Sequence, residues 1–206
     1  MLENLKINKE SFAFQVLKRM YDWEGRYYHT YSHIEEMFDF ASKDPNFTVN
    51  VAFAIMYHDA IFIPEDDRRN EIASAAFFKA MIMNGGGYDL FTGDEYLNSE
   101  EGCDSLNIDK VVNLIVATKY HRFTGDPEND LLMKADLLCF HYKFRRYFIE
   151  TLIRKEYNHL SDYYYLNNRI DFLENLKKNL KEDGVLEEYS ERINKNIDYL
   201  KNISSS

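Results

Sequence analysis

Two histidines and a His-Asp dipeptide are the residues of this chain whose types and spacing could support metal chemistry. His29 and His33 are four positions apart, so on a helix they share one face, with Cβ atoms roughly 5–6 Å apart. His58 and Asp59 directly follow an apolar run, which predicts that they lie at the end of a buried helix. Neutral imidazole and carboxylate groups together bind borderline divalent cations. The pattern therefore predicts a metal site.

A later aspartate, Asp136 in the segment Met-Lys-Ala-Asp-Leu-Leu, completes the order His…His-Asp…Asp. In this order the chain resembles the HD superfamily of metal-dependent phosphohydrolases. The segment Tyr-His-x-x-x-His is similar to the start of cyclic nucleotide phosphodiesterase catalytic domains, a branch of that superfamily. The resemblance implies that His29 protonates the departing oxygen. It also implies a divalent metal bound by His33, His58, Asp59 and Asp136.

The resemblance extends over nearly the whole chain, to a bacterial group of small, stand-alone predicted HD phosphohydrolases. The matching segments are 26–33, 57–60, 69–71, 117–121, the segment around Asp136, and 153–157. The implied fold is an all-α, HD-type helical bundle. The implied activity is a class of chemistry, metal-dependent hydrolysis of a phosphate ester, and no particular substrate follows from it.

Four further residues are candidates for handling the phosphate group, by their place in these segments and by their charge. Arg26, Lys119 and His121 are expected to hold phosphate oxygens. Glu71 is expected to orient the attacking water as a catalytic residue. Asp59 is counted as both a metal ligand and a catalytic residue. Acid–base groups of this kind typically contribute about 10²–10⁴-fold in rate.

The composition favours one globular domain over residues 1–206, with its core at about 8–202. Apolar residues make up 45% of the chain and aromatic residues 16%, which suffices for a sizeable core, so disorder is not expected. The formal net charge of -10 argues against duplex nucleic acid as a partner, because such binders usually carry a basic face. A small phosphorylated substrate, such as a nucleotide, is compatible with this charge.

The cysteine content and the N-terminal residues indicate a cytoplasmic protein. Two cysteines, Cys103 and Cys139, give no disulfide framework. The first residues lack the basic and apolar regions of a signal peptide, and the longest apolar run is far shorter than the roughly 20 residues that a membrane span needs. We therefore expect no membrane partner. A homodimer is compatible with the sequence.

Prolines and glycines fall between periodic segments, which predicts helices joined by loops. The expected helices are 8–21, 30–42, 49–59, 68–83, 107–119, 129–157 as one helix or two, 161–180 and 185–201. Asn8 and Asn107 are the expected caps of two of them. The acidic segment 88–105 is expected to be a long loop or a short helical lid. No segment has a clear strand pattern.

Two other functions are compatible with the same residues. A non-catalytic metal- or nucleotide-binding sensor would keep the site without turnover. A di-iron oxygenase would need more histidines between the His-Asp pair and Asp136, and His121 alone lies there, so the ligand count is one short unless Glu71 joins. A set of two histidines and two aspartates accepts Mn²⁺, Mg²⁺, Zn²⁺, Fe²⁺, Co²⁺ or Ni²⁺, so the metal stays open.

Several other charged residues have a simpler structural interpretation. The two histidines that follow the last expected ligand, His141 and His159, are interpreted as structural. A basic group is expected to form a solvated face with Glu150 and Glu156 as ion-pair partners; it comprises Arg145, Arg146, Arg154 and Lys155.

Overall fold

The computed structural model describes residues 5–92, 106–141 and 149–204, and these residues are predominantly helical. Their α-helices are α1 (Phe12–Tyr21), α2 (Tyr31–Ala41), α3 (Val49–Tyr57), α4 (Asn70–Met83), α5 (Ile108–Ala117), α6 (Pro127–Asp136), α7 (Glu150–Glu156), α8 (Asp162–Glu182) and α9 (Ser190–Ser204). Short 3₁₀ turns lie at Pro64–Arg69, Tyr88–Leu90, Thr118–Tyr120, Leu137–Phe140 and Leu186–Glu188. The all-α prediction is confirmed, and the HD-type arrangement stays a prediction.

Helix α3 is apolar nearly all round, as predicted: Asn50 is half-buried, and every residue from Val51 to Tyr57 is buried. The Oγ1 of Thr48 accepts the backbone N–H of Val51 and caps the start of this helix. The helix ends at Tyr57, two residues earlier than predicted. His58 and Asp59 therefore follow the helix directly, at the end of the most deeply buried element.

Local capping chemistry fixes several other helix starts. Asn107 caps α5 as predicted, since its side chain accepts the N–H of Lys110 at 2.9 Å. Ser11 caps α1 by accepting the N–H of Phe14 at 3.1 Å, so α1 begins later than the prediction with Asn8 as its cap. The long segment predicted at 129–157 divides after α6, where the 3₁₀ turn Leu137–Phe140 follows Asp136.

The predicted loop or lid at 88–105 is described only at its start. A 3₁₀ turn at Tyr88–Leu90 leads into the short strand Phe91–Thr92 (β2), and residues 93–105 lie outside the described part. Strand β2 pairs antiparallel with Lys6–Ile7 (β1), with Ile7 opposite Phe91. This two-residue pairing was not predicted, because two residues are too few for an alternating pattern.

The buried apolar side chains form two clusters. One is built from α1 to α6, and the other from the turn after α6 together with α7, α8 and α9. A cavity is lined by apolar residues of the second cluster, among them Leu137 and Ile153, and by polar residues on or next to α3 and α4, among them His58 and Glu71. The organisation as one domain stays a prediction. Among the described residues no helix is both long and apolar enough to cross a membrane.

Candidate metal centre

Three of the predicted ligands converge from separate helices. His33 lies on α2, His58 follows α3, and Asp136 ends α6, and one ligand atom from each lies within 4.8 Å of the other two. The Nε2 atom of His33 is 3.3 Å from Oδ1 of Asp136, and the Nε2 atom of His58 is 3.8 Å from the same oxygen. Two nitrogens and one oxygen around a common point form a donor set for a borderline divalent cation.

The His58 ring is oriented as a metal-binding histidine usually is. Its Nδ1 lies 3.0 Å from the carbonyl oxygen of Ile55, which accepts its proton and directs Nε2 toward the cluster. Among the described residues this Nε2 is buried and has no hydrogen-bond partner of good geometry. A buried polar atom without a partner is costly, and coordination to a cation would remove that cost. The residues present therefore fit a metal.

Asp59 approaches the cluster from the side of the cavity. Its Oδ2 is 3.1 Å from Nε2 of His58, and its side chain lines the cavity. It does not belong to the group of three atoms that all lie within 4.8 Å of one another. Burial raises the pKa of Asp59, but the charges of His58 and His29 outweigh burial and lower this pKa below its usual range. Asp59 is thus an anion beside the three ligands.

The histidines and carboxylates of the cluster shift one another's pKa values. Burial lowers the pKa of His58, yet the attraction of Asp59 is stronger and raises this pKa to about 9. Burial likewise raises the pKa of Asp136, but hydrogen bonds from His121 and His33 hold it well below its usual range. A cation bound at Nε2 of His58 would compete with the proton for this nitrogen.

His121 contacts the cluster directly. Its Nε2 is 3.3 Å from Oδ2 of Asp136, whereas His33 contacts Oδ1 of the same carboxylate. The residue has a left-handed backbone with φ of 46°, which is uncommon outside glycine. Its side chain also lines the cavity, so its predicted role toward phosphate stays a prediction.

His29 is held by a residue that sequence reasoning interpreted wrongly. Its Nδ1 lies 2.7 Å from Oε2 of Glu156, while Oε1 of Glu156 accepts the backbone N–H groups of Tyr27, Tyr28 and His29 at 2.7–2.9 Å. Glu156 is 4% exposed and belongs to no solvated face. Burial lowers the pKa of His29, but the carboxylate of Glu156 more than compensates and raises it. The only signal in the sequence was the position of Glu156 within segment 153–157.

Arg26 has a different environment from the one expected. Its Nη1 donates to the carbonyl oxygens of His29 and Asp59 at 2.9 and 2.7 Å, and its Nη2 donates to that of Ala60 at 2.9 Å. The residue is 7% exposed and does not line the cavity. The expectation that Arg26 holds phosphate is therefore corrected: its guanidinium ties the His29 segment to the His58-Asp59 segment.

The cavity beside the cluster has a volume of about 370 Å³. His29, Asp59, Glu71 and Lys119 line it together with His58 and Asp136 of the cluster. Burial raises the pKa of Glu71, whose Oε2 is buried without a hydrogen-bond partner among the described residues. A carboxylate of raised pKa in a cavity is suited to accept and release a proton. Much of the remaining wall is apolar or aromatic, with Phe62, Tyr157 and Phe172 among its residues.

Glu150 also departs from the predicted solvated face, because it is 1% exposed and pairs with Arg169. Arg154 pairs with Asp162 instead of either glutamate, and the other two arginines of that predicted face, 145 and 146, lie outside the described residues. The Nε2 atom of His141 lies 3.2 Å from Oε2 of Glu188. Nothing local in the sequence marks Glu150 or Arg169 as buried.

Comparisons with known proteins give no match. No family model, curated protein or solved structure matches this chain. Assignment to the HD superfamily therefore stays a prediction from the motif.

Proposed function

We propose that this protein is a metal-dependent phosphohydrolase that acts on a small phosphate ester, such as a nucleotide. The observation that carries the proposal is the convergence of His33, His58 and Asp136 within 4.8 Å, with the buried Nε2 of His58 among the three ligand atoms. This cluster borders a cavity of about 370 Å³. Small-molecule sites typically have volumes of about 300–1,000 Å³, so a phosphorylated metabolite fits and duplex nucleic acid does not.

His33, His58 and Asp136 would hold the cation, with Asp59 as the fourth ligand. When bound, a divalent cation lowers the pKa of coordinated water and neutralises phosphoryl charge. The mixed nitrogen and oxygen donors suit Mn²⁺, Mg²⁺, Zn²⁺, Fe²⁺, Co²⁺ or Ni²⁺.

The protein's own acid and base flank this cluster. His29 donates its Nδ1 proton to Glu156, so its Nε2 is the atom that can give a proton to the departing oxygen. Glu71, which lines the cavity, would orient the attacking water and take its proton, and Lys119 would supply positive charge in the same cavity. Both phosphate monoesters and phosphate diesters have a poor alkoxide leaving group, and such a leaving group needs an acid to protonate it.

A second candidate rests on His121. Its contact with Asp136 at 3.3 Å, together with Glu71 in the same cavity, offers donors for a second cation. Two bound irons would favour the di-iron oxygenase. Phosphate release with one bound ion, or with two ions other than iron, would favour hydrolysis. A bound ion without any turnover would favour the sensor.

The test is metal analysis of the purified protein, followed by chelation and a phosphate-release screen with each metal added back. Hydrolysis that disappears with the metal and returns with one of the six cations is expected. His58→Ala should lose both the metal and the activity. His159→Ala is the matched control, because this partly exposed histidine lies away from the cluster, near Glu65.

A further inference from the structure

Arg169 and Glu150 form a buried ion pair between α8 and α7. The Nε of Arg169 donates to Oε2 of Glu150 at 2.9 Å, and its Nη2 donates to Oε1 at 3.1 Å. The side chains are 13% and 1% exposed, respectively. This two-bond geometry fixes the plane of the guanidinium.

Stability alone does not account for this pair. A buried ion pair contributes little compared with apolar side chains of similar volume, since both charges lose their hydration. The pair also leaves one nitrogen unused. Among the described residues, Nη1 of Arg169 has no hydrogen-bond partner. It does not belong to the fully buried side-chain atoms that lack a partner. Arg169 lines the cavity, so Nη1 is the guanidinium nitrogen left for a ligand there.

The contact of the Arg169 guanidinium with Phe172 restricts its position and leads toward the candidate metal ligands. The guanidinium carbon of Arg169 lies 4.8 Å from the ring centroid of Phe172, and that ring makes an edge contact with His121 at 5.9 Å. His121 in turn contacts Asp136. One aromatic ring therefore separates Arg169 from a residue that contacts the cluster, along a shared wall of the cavity.

We propose that Arg169 anchors an oxyanion of the ligand that occupies this cavity, through the N–H groups of Nη1. Glu150 acts as a positioning residue that fixes the guanidinium. The oxyanion is either the phosphoryl group itself or a second acidic group of the same molecule. This inference rests on the proposed function only for the assumption that the ligand carries a phosphoryl group.

Two non-hydrolysable probes test the proposal: phenylphosphonate and 4-carboxyphenylphosphonate, with affinities measured by calorimetry. The main variants are Arg169→Lys and the double variant Glu150→Leu/Arg169→Met, which leaves no unpaired buried charge and so guards against misfolding. Loss of a charge-assisted hydrogen bond should weaken binding by about 10–100-fold. Equal weakening for both probes would assign the phosphoryl group to Arg169, and weakening for the carboxylated probe alone would assign a second acidic group.

Affinities within twofold of wild type for both probes in both variants would overturn the proposal, as would the absence of binding to wild type. Arg122→Lys is the matched control, because Arg122 also pairs with a buried carboxylate, Asp183, but does not line the cavity. Metal content and hydrolysis are measured on the same samples. Normal hydrolysis with an unchanged KM in Arg169→Lys would overturn this inference alone, and phosphonate binding through Arg169 without hydrolysis would overturn the proposed function alone.

Discussion

Glu156 accepts a hydrogen bond from Nδ1 of His29 at 2.7 Å, although 127 residues separate them in the sequence. The other carboxylate oxygen of Glu156 accepts three consecutive backbone N–H groups, from Tyr27 to His29. One buried side chain thus fixes both the backbone that carries His29 and the proton on its ring. This leaves Nε2 of His29 as the atom available for proton transfer at the cavity.

Replacing Glu156 with glutamine should lower kcat without a matching change in KM. A glutamine can still accept the backbone N–H groups through its oxygen, but its amide nitrogen cannot accept the Nδ1 proton of His29. The ring then loses its fixed tautomer, and we expect kcat to fall on the order of 10²-fold. The pH profile of kcat should shift as well. Glu174→Gln, at an exposed position on α8, is the control, and an unchanged kcat and pH profile in Glu156→Gln would contradict the positioning role.

The ion pair between His29 and Glu156 should stabilise the metal-free protein only within a pH window. The pKa of His29 is raised from 6.5, so its contribution is complete below pH 6.5 and is lost as pH rises through the raised value. The pKa of Glu156 is lowered from 4.5, so its contribution is present above pH 4.5 and is lost as pH falls through the lowered value. The free energy of coupling between His29 and Glu156 is therefore largest between pH 4.5 and pH 6.5. A double-mutant cycle with His29→Gln and Glu156→Gln, followed by denaturant unfolding, measures it. Equal coupling inside the window and far above it would refute the assignment.

Arg26→Lys should reduce stability and leave phosphate recognition intact. Lysine cannot reach the three carbonyl oxygens of His29, Asp59 and Ala60 at once, so at least one buried acceptor loses its partner. We expect the free energy of unfolding to fall by ~1–3 kcal/mol. Metal affinity should fall too, because the His58-Asp59 segment loses its anchor. A raised KM with unchanged stability would instead restore Arg26 as a phosphate ligand.

Glu71→Gln should stabilise the protein at neutral pH while it lowers turnover. Burial raises the pKa of Glu71 above 4.5, so the folded state favours the protonated form. Its contribution to stability is complete below pH 4.5 and is lost as pH rises through the raised value. The neutral amide avoids this loss, so the denaturation midpoint at neutral pH should rise, while kcat falls by about 10²–10⁴-fold. Glu10→Gln, on the surface, should change neither quantity. A lower midpoint together with full activity would argue against a proton-transfer role.

The sequence predicts the parts of this fold whose physics is local. The apolar run in α3 predicts a buried helix and so the position of His58 and Asp59 at its end. Asn107 predicts the start of α5 because capping depends on residues three positions apart.

The interpretation of the buried charges was wrong because their environment is decided by distant partners. Glu150 and Glu156 lie among basic residues in the sequence, which is typical of a solvated helix face. Their actual partners, Arg169 and His29, are on other elements. Arg26 was interpreted by its charge and by its place in segment 26–33, and its contacts are backbone carbonyls that no sequence pattern identifies.

The most direct test is metal content and phosphate release measured together, on wild type and Asp59→Ala. Elemental analysis of the wild-type protein should find at least one divalent cation per chain. Hydrolysis of a phosphate ester should stop after chelation and return when the same cation is added back. Asp59→Ala should lose both the cation and the hydrolysis. Undiminished hydrolysis in Asp59→Ala, or wild-type protein that binds none of the six cations, would contradict the account.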